Sequence, residues 1–283
     1  MHAYAAEDPV FLAMNRRGQR ETDGELGAFC VNCHAPMAVR EGATVDGLDL
    51  DEVPDHLKGV TCYFCHNAAG VDDDHNNMLQ LANDTTMRGG IRDPVRSRAH
   101  RSEFSAYHDR NDSTSTLLCG GCHDIVTPNG VHMERTFREY QESIFFQPGA
   151  AFDTCQGCHM DGRPGVAADD PDASVPLRTV HDHLWPGVDV AVTEFPHREA
   201  QQLAVECALA NGTRIFSLEA TPLGEFTIHL ETNAGHMQPS GAAQDRRMWL
   251  EFVAYDDAGK VVFESGTIAD GEVEDKPEGD PRH

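Results

Sequence analysis

Four Cys-x-x-Cys-His pentapeptides, all before residue 160, constrain this chain more than anything else in it: Cys30-Val-Asn-Cys33-His34, Cys62-Tyr-Phe-Cys65-His66, Cys119-Gly-Gly-Cys122-His123 and Cys155-Gln-Gly-Cys158-His159. The spacing is that of covalent haem c attachment. Two thiols two residues apart form thioethers to the two vinyl groups, and the histidine that follows lies beneath the iron. Zinc sites or disulfides would not require histidine directly after every second cysteine. The expectation is four c-type haems, held by Cys30, Cys33, Cys62, Cys65, Cys119, Cys122, Cys155 and Cys158, with His34, His66, His123 and His159 as proximal iron ligands.

Eight of the nine cysteines are thereby used, so disulfides cannot be the main staple. Haems are large apolar plates, and they are expected to supply core that the side chains of residues 1–190 lack. That region is rich in turn signals, such as Thr127-Pro-Asn-Gly130 and Gln147-Pro-Gly149. One helix is expected at about 135–146, where Phe137, Tyr140, Ile144 and Phe145 share a face. A second is expected from Pro196 to Ala210, with Leu203 and Cys207 one turn apart on its buried side. From about 213 the pattern alternates: 214–220, 226–232, 248–255 and 260–265 read as strands, with Asp256-Asp-Ala-Gly259 as a hairpin turn. The expected fold is a mostly irregular or α, haem-packed multihaem domain (1–190), a connecting helix (191–212), a small antiparallel β-sandwich-like domain (213–270), and an acidic tail or linker (271–283).

A formal net charge of −25, with 47 acidic residues against 22 lysines and arginines, argues against nucleic acid as a partner, because nothing neutralises phosphates. The acids are spread along the whole chain, which fits general solubility or a saline habitat better than a face steering a basic partner. The oxygen-rich run Val71-Asp-Asp-Asp-His-Asn-Asn77 lacks the regular spacing of a calcium loop and reads as a solvated acidic loop. No stretch approaches the ~20 apolar residues of a membrane span.

Four proximal histidines leave twelve others among the 16. A surplus of this size points to bis-histidine, low-spin iron; methionine (Met37, Met133 or Met160) would raise the potential. Met160 directly follows a proximal histidine and cannot reach back across the same haem. Local sequence ranks the histidines. His236 lies in Asn233-Ala-Gly-His-Met-Gln-Pro-Ser-Gly241 and His183 in His181-Asp-His-Leu-Trp-Pro-Gly187, both pinned by glycine and proline. His100 and His108 flank a short segment before the third motif, and His2 precedes the first.

Several of these segments carry a family resemblance. The opening His2-Ala-Tyr-Ala-Ala-Glu-Asp-Pro-Val-Phe11, the segments Gly59–His66 and Cys119–Val126, and Phe137-Arg-Glu-Tyr-Gln-Glu-Ser143 leading to the fourth motif are similar to multihaem cytochromes c. So are the Gly-His-x-x-Pro-Ser-Gly segment and Asp245-Arg-Arg-Met-Trp249. The family is that of the tetrahaem electron acceptor of hydroxylamine oxidoreductase, and the resemblance covers nearly the whole chain. It implies His2, His183 and His236 as distal ligands, with His100 or His108 as the fourth. Relatives also look longer at both ends.

The function expected is electron transfer through closely packed haems, as a carrier or as part of an extracellular conduit or filament. The partners would be other redox proteins or further copies of the chain. Covalent haem is attached outside the bacterial cytoplasm, so a periplasmic or extracellular location is expected, reached by a leader the sequence in hand does not contain. The alternative is an oxidoreductase in which one open haem acts on a small nitrogen or sulfur compound. No Cys-x-x-Cys-Lys motif speaks for it, and there are histidines enough to close every iron. A third reading is a scaffold subunit whose β-domain docks a larger redox complex.

Overall fold

Each haem-type motif folds as little more than one helical turn, which is as much regular structure as a five-residue motif can impose. The computed structural model describes residues 1–169, 174–241 and 246–268. Its helices are α1 (Pro9–Glu21), α2 (Val31–His34), α3 (Pro36–Arg40), α4 (Cys62–His66), α5 (Thr116–Gly120), α6 (Thr136–Glu142), α7 (Cys155–His159) and α8 (Arg198–Gly212). The strands are β1 (Ala68–Val71), β2 (Leu79–Leu81), β3 (Thr86–Gly89), β4 (Arg101–Phe104), β5 (Ile125–Val126), β6 (His132–Glu134), β7 (Gly162–Val166), β8 (Leu177–His181), β9 (Thr213–Ala220), β10 (Phe226–Thr232), β11 (Phe252–Tyr255) and β12 (Val261–Ser265). They pair two by two in chain order; β3–β4 is parallel and the other five pairs are antiparallel.

Helix α1 begins where Asp8 caps the chain, its carboxylate accepting from Val10 N at 3.0 Å, with Pro9 in the first turn. Its inward stripe is Phe11, Asn15 and Gln19, spaced at four. The last two are buried polar residues with work to do. Asn15 Nδ2 donates to Asp46 O at 2.8 Å, and Gln19 Nε2 donates to Gly27 O at 2.7 Å and Asp46 O at 3.1 Å, which ties the loop around the first motif to the helix. Two clusters of buried side chains follow. Ala6, Phe11, Val31, Ala35, Ala38, Leu50 and Val53 surround the first motif, and Met37, Phe64 and Leu79 join the first two motifs, with Leu118 packed alongside.

The expected fold class is overturned. Of the described residues 27% are helical and 21% are in strands, and six separate two-stranded sheets are distributed along the chain. Among the described residues no mostly irregular or α, haem-packed domain is evident. Eight of the twelve strands lie before residue 190, in segments that read as loops because strands of two to five residues are too short for periodicity to register. The expected sandwich is two separate hairpins. The chain divides into two compact units, Met1–Ala242 and Ala243–His283; β9–β10 belongs to the first and β11–β12 to the second. In the first, Ile215, Phe216 and Leu218 of β9 remain exposed, so no second sheet covers that hairpin among the described residues of its unit. In the second, Asp256–Gly259 turns the chain between β11 and β12. There Gly266, at φ +72°, lies so close to Leu250 O that a side chain would collide with it.

Local expectations need correction too. Helix α6 stops at Glu142, so Ile144 and Phe145 lie beyond it. Helix α8 buries Gln201 and Val205, whereas Leu203 and Cys207 are exposed: the helix turns a different stripe inward from the one the apolar residues mark. The acidic tail 271–283 and Asp245 lie outside the described residues. No helix among the described residues is long and apolar enough to cross a membrane.

Phe64 lies inside the second motif and is 1% exposed, in contact with the cluster that unites motifs one and two. Phe64→Ala is expected to cost about 3–5 kcal/mol, because the cavity adds to the lost transfer energy. The check is denaturant unfolding followed by circular dichroism, against a value below about 1 kcal/mol for the exposed Leu223→Ala.

Candidate haem-ligand site

The four motifs converge because the two spacer residues inside them are used as fasteners. Asn32, within the first motif, donates to Asn76 O at 3.4 Å and its carbonyl accepts from Asn77 Nδ2. Asn76 in turn clamps the strand after the third motif, donating to Val126 O at 2.7 Å and accepting from Val126 N at 3.0 Å, while Asn77 N donates to Gly121 O inside the third motif. The oxygen-rich loop is therefore a strap between motifs one and three. Both asparagines hold positive φ (54° and 58°), a conformation asparagine tolerates better than most residues. Gln156, within the fourth motif, exchanges two hydrogen bonds of 2.9 Å with Ser115 at the start of α5, and Arg110 donates to Gly157 O at 3.1 Å. Glycine at 120 is required by contact: a Cβ there would stand 2.5 Å from the ring of Phe137. The thiols of Cys33 and Cys122 are neighbours, as are those of Cys119 and Cys155.

All four motif histidines are oriented the same way. Nδ1 of His34 faces Ala5 O at 3.1 Å, that of His66 faces Arg88 O at 2.6 Å, that of His159 faces Pro186 O at 2.8 Å, and that of His123 faces Glu134 Oε1 at 3.2 Å. An acceptor on Nδ1 fixes the proton there and leaves Nε2 as the lone pair, the arrangement a metal-ligating histidine needs.

Three of the four have a second histidine across from them. Ring centres are 6.0 Å apart for His2 and His123, 6.2 Å for His66 and His183, and 6.2 Å for His159 and His236. A metal ~2 Å from each of two imidazole nitrogens sets the ring centres roughly 6 Å apart, so these separations fit an ion between the rings. Nδ1 of His2 is buried without a hydrogen-bond partner. Burial, then the neighbouring His123, the chain amine, His34 and His159, hold His2 down at about 3, so its imidazole is neutral and able to ligate. Burial likewise lowers His34, His159 and His183. Burial also pulls His123 down, but the hydrogen bond and charge of Glu134 outweigh it and the net shift is upward.

The remaining candidates are placed differently. His108 lies 5.4 Å from His66, nearly parallel to it, but its Nε2 is taken by Cys65 O at 2.8 Å. His100 is exposed, with Nδ1 turned to Arg101 O at 3.0 Å; it lines a cavity of about 580 Å³ that also holds Cys62 and His66. That volume is in the range of cofactor pockets. His34 lies flat on Phe11, ring centres 3.9 Å apart and 4° from parallel. Among the described residues no fourth pair forms with His34.

Two residues that build this arrangement drew no attention as side chains in the sequence. Trp185, at φ +46°, wedges edge-on between His2 (4.7 Å) and His183 (4.9 Å). A tryptophan in that backbone region is held there by its surroundings. Glu139 of α6 accepts from Met237 N at 3.1 Å and Ser240 Oγ at 2.6 Å, and so pins the loop that carries His236. Being one of only two tryptophans was a signal for Trp185; nothing in the sequence marked Glu139 among so many acids.

Among the described residues, the one group of three or more metal-type donors close together is Asp73, Asp74 and His75. No family model matches the chain, and no curated protein or solved structure matches it either.

Gly120→Ala forces its methyl group against Phe137, which is 2% exposed. The expected loss is about 1–3 kcal/mol, read as a lower midpoint in thermal unfolding. Gly130→Ala meets no neighbour; its φ of +78° confines its cost to backbone strain of about 1 kcal/mol.

Proposed function

We propose that this chain is a tetrahaem c-type cytochrome that transfers electrons, similar to the multihaem cytochromes of the hydroxylamine oxidoreductase electron-acceptor family. The observation that carries the reading is that the histidine of every Cys-x-x-Cys-His motif has its Nδ1 held by an oxygen, which frees Nε2 for iron. One such hydrogen bond is commonplace. Four in four motifs, three of them faced by a second histidine at about 6 Å, are what a set of iron ligands requires.

In this reading the eight motif cysteines carry the thioethers, and His2, His183 and His236 close the irons of His123, His66 and His159. Bis-histidine haem supplies one-electron chemistry at low potential. The chain's own part is to hold the imidazoles oriented and close together. Fasteners of the Asn32, Asn77 and Gln156 kind hold adjacent motifs near one another, and haems bound there would be close enough to exchange electrons. The location follows from the attachment chemistry, periplasmic or extracellular, and the partners are other redox proteins or further copies of this chain, joined as a complex or a filament.

One observation favours a second reading. His34 is stacked on Phe11 and has no histidine opposite it among the described residues. An iron there with an open distal side is the arrangement an oxidoreductase acting on a small nitrogen or sulfur compound would need.

The optical spectrum of the reduced protein, with and without carbon monoxide, separates the two. Low-spin bands unchanged by carbon monoxide are expected for a carrier or conduit. A carbon monoxide-binding haem moves the function to the oxidoreductase. In either case His236→Met is expected to raise the potential of one haem and leave the haem count at four, as methionine ligation does. An unaltered redox titration would remove His236 from the ligand set.

A further inference from the structure

The four motif histidines differ in one respect that bears on electron flow. Three of them give their Nδ1 to neutral backbone carbonyls, of Ala5, Arg88 and Pro186. The fourth, His123, gives it to a carboxylate, Glu134, at 3.2 Å. We infer that Glu134 is a positioning residue that makes the third-motif haem the lowest-potential centre of the four; this rests on the tetrahaem reading proposed above.

The contact is built into the fold. The third motif runs directly into β5, the chain turns at Thr127–Gly130, and β6 returns antiparallel with Glu134 opposite Ile125. The hairpin is just long enough to bring a carboxylate back over the histidine that precedes it. Glu134 is held there rather than merely passing: its side chain is only 15% exposed, and Oε1 also accepts from Thr136 Oγ1 at 3.3 Å, itself bonded to Ser240 Oγ at 2.6 Å. Glycine at 241 leaves room for it, since a Cβ there would stand 2.8 Å from Oε1. The backbone of His123 is fixed separately, its carbonyl accepting from Phe137 N at 2.9 Å.

The chemistry follows from charge. A charge-assisted hydrogen bond to Nδ1–H is stronger than one to an amide carbonyl and draws the proton toward the oxygen. The ring then carries more negative character and is a more basic ligand. A more basic ligand stabilises the oxidised iron over the reduced one, which lowers the potential of that centre. The carbonyls of the other three motifs have no comparable effect. Electrons entering the chain therefore settle last on the third centre, and it is the strongest donor once filled.

The test is a potentiometric titration of the full chain carrying its haems, comparing wild type, Glu134→Gln and Asp74→Asn. Asp74 lies close enough for its charge to act on Asp124, next to His123, but it makes no contact with a motif histidine, so it controls for the loss of one negative charge. With four haems in each protein, E134Q is expected to move one redox step upward and one low-spin electron paramagnetic resonance signal with it, while D74N moves none selectively. Four steps that stay in place in E134Q, or that all move as they do in D74N, overturn the inference.

A readout on the wild type needs no variant to fold. In the fully reduced, diamagnetic protein one of the four Nδ1–H proton resonances is expected downfield of the other three. Four resonances grouped together overturn the assignment. A wild-type chain that carries no haem is a different failure: it ends the tetrahaem reading itself.

Discussion

The structure depends on hydrogen bonds and contacts made by the spacer residues of the four motifs. Asn32, Phe64, Gly120 and Gln156 are four of the eight positions between paired cysteines, and each reaches a segment next to another motif or clears space for one. Buried side-chain amides of this kind are costly unless satisfied. Gln156 is satisfied on both its oxygen and its nitrogen by Ser115, and so specifies one arrangement of motifs three and four rather than several. The consequence is that motifs far apart in sequence, and without a constant period, become neighbours without long helices to carry them.

Convergence alone would bring histidines together, but their protonation decides whether they can bind metal. Burial keeps His2 and His108 neutral, at about 3 and about 4, and oxygen acceptors on Nδ1 select one tautomer at each motif. Burial favours the neutral ring, and the Nδ1 acceptor decides which nitrogen keeps the proton; at His123 the Glu134 carboxylate outweighs burial and the shift is upward. At His108 the arrangement is reversed: Nε2 is given to Cys65 O, and Nδ1 is left buried without a partner, in the ring nearest to His66.

Much of what the structure brings together was legible in the sequence, because a Cys-x-x-Cys-His motif sets residue types at fixed spacing. The motif residues, and the glycine- and proline-bounded segments of His183 and His236, could be marked from their neighbours alone. The fold class could not. Its six sheets are short pairings closed by turn residues that read equally well as loop, and the alternation after residue 213 makes two hairpins rather than one sandwich. Cys207 was misread for a related reason: helical spacing identifies a stripe, but in α8 the buried stripe carries Gln201 and Val205. The roles of Asn76, Asn77 and Glu139 were invisible because they are made by contacts 44 to 101 residues away, which no local pattern records.

On the proposed reading the four motifs hold haem covalently. The most direct test is the intact mass of the denatured chain, expressed in a host able to attach c-type haem, together with its pyridine haemochrome spectrum. The expected mass exceeds that of the polypeptide by four haems, and the expected spectrum gives four thioether-linked haems per chain. A chain at its polypeptide mass, or one that binds zinc through the same cysteines, would contradict it.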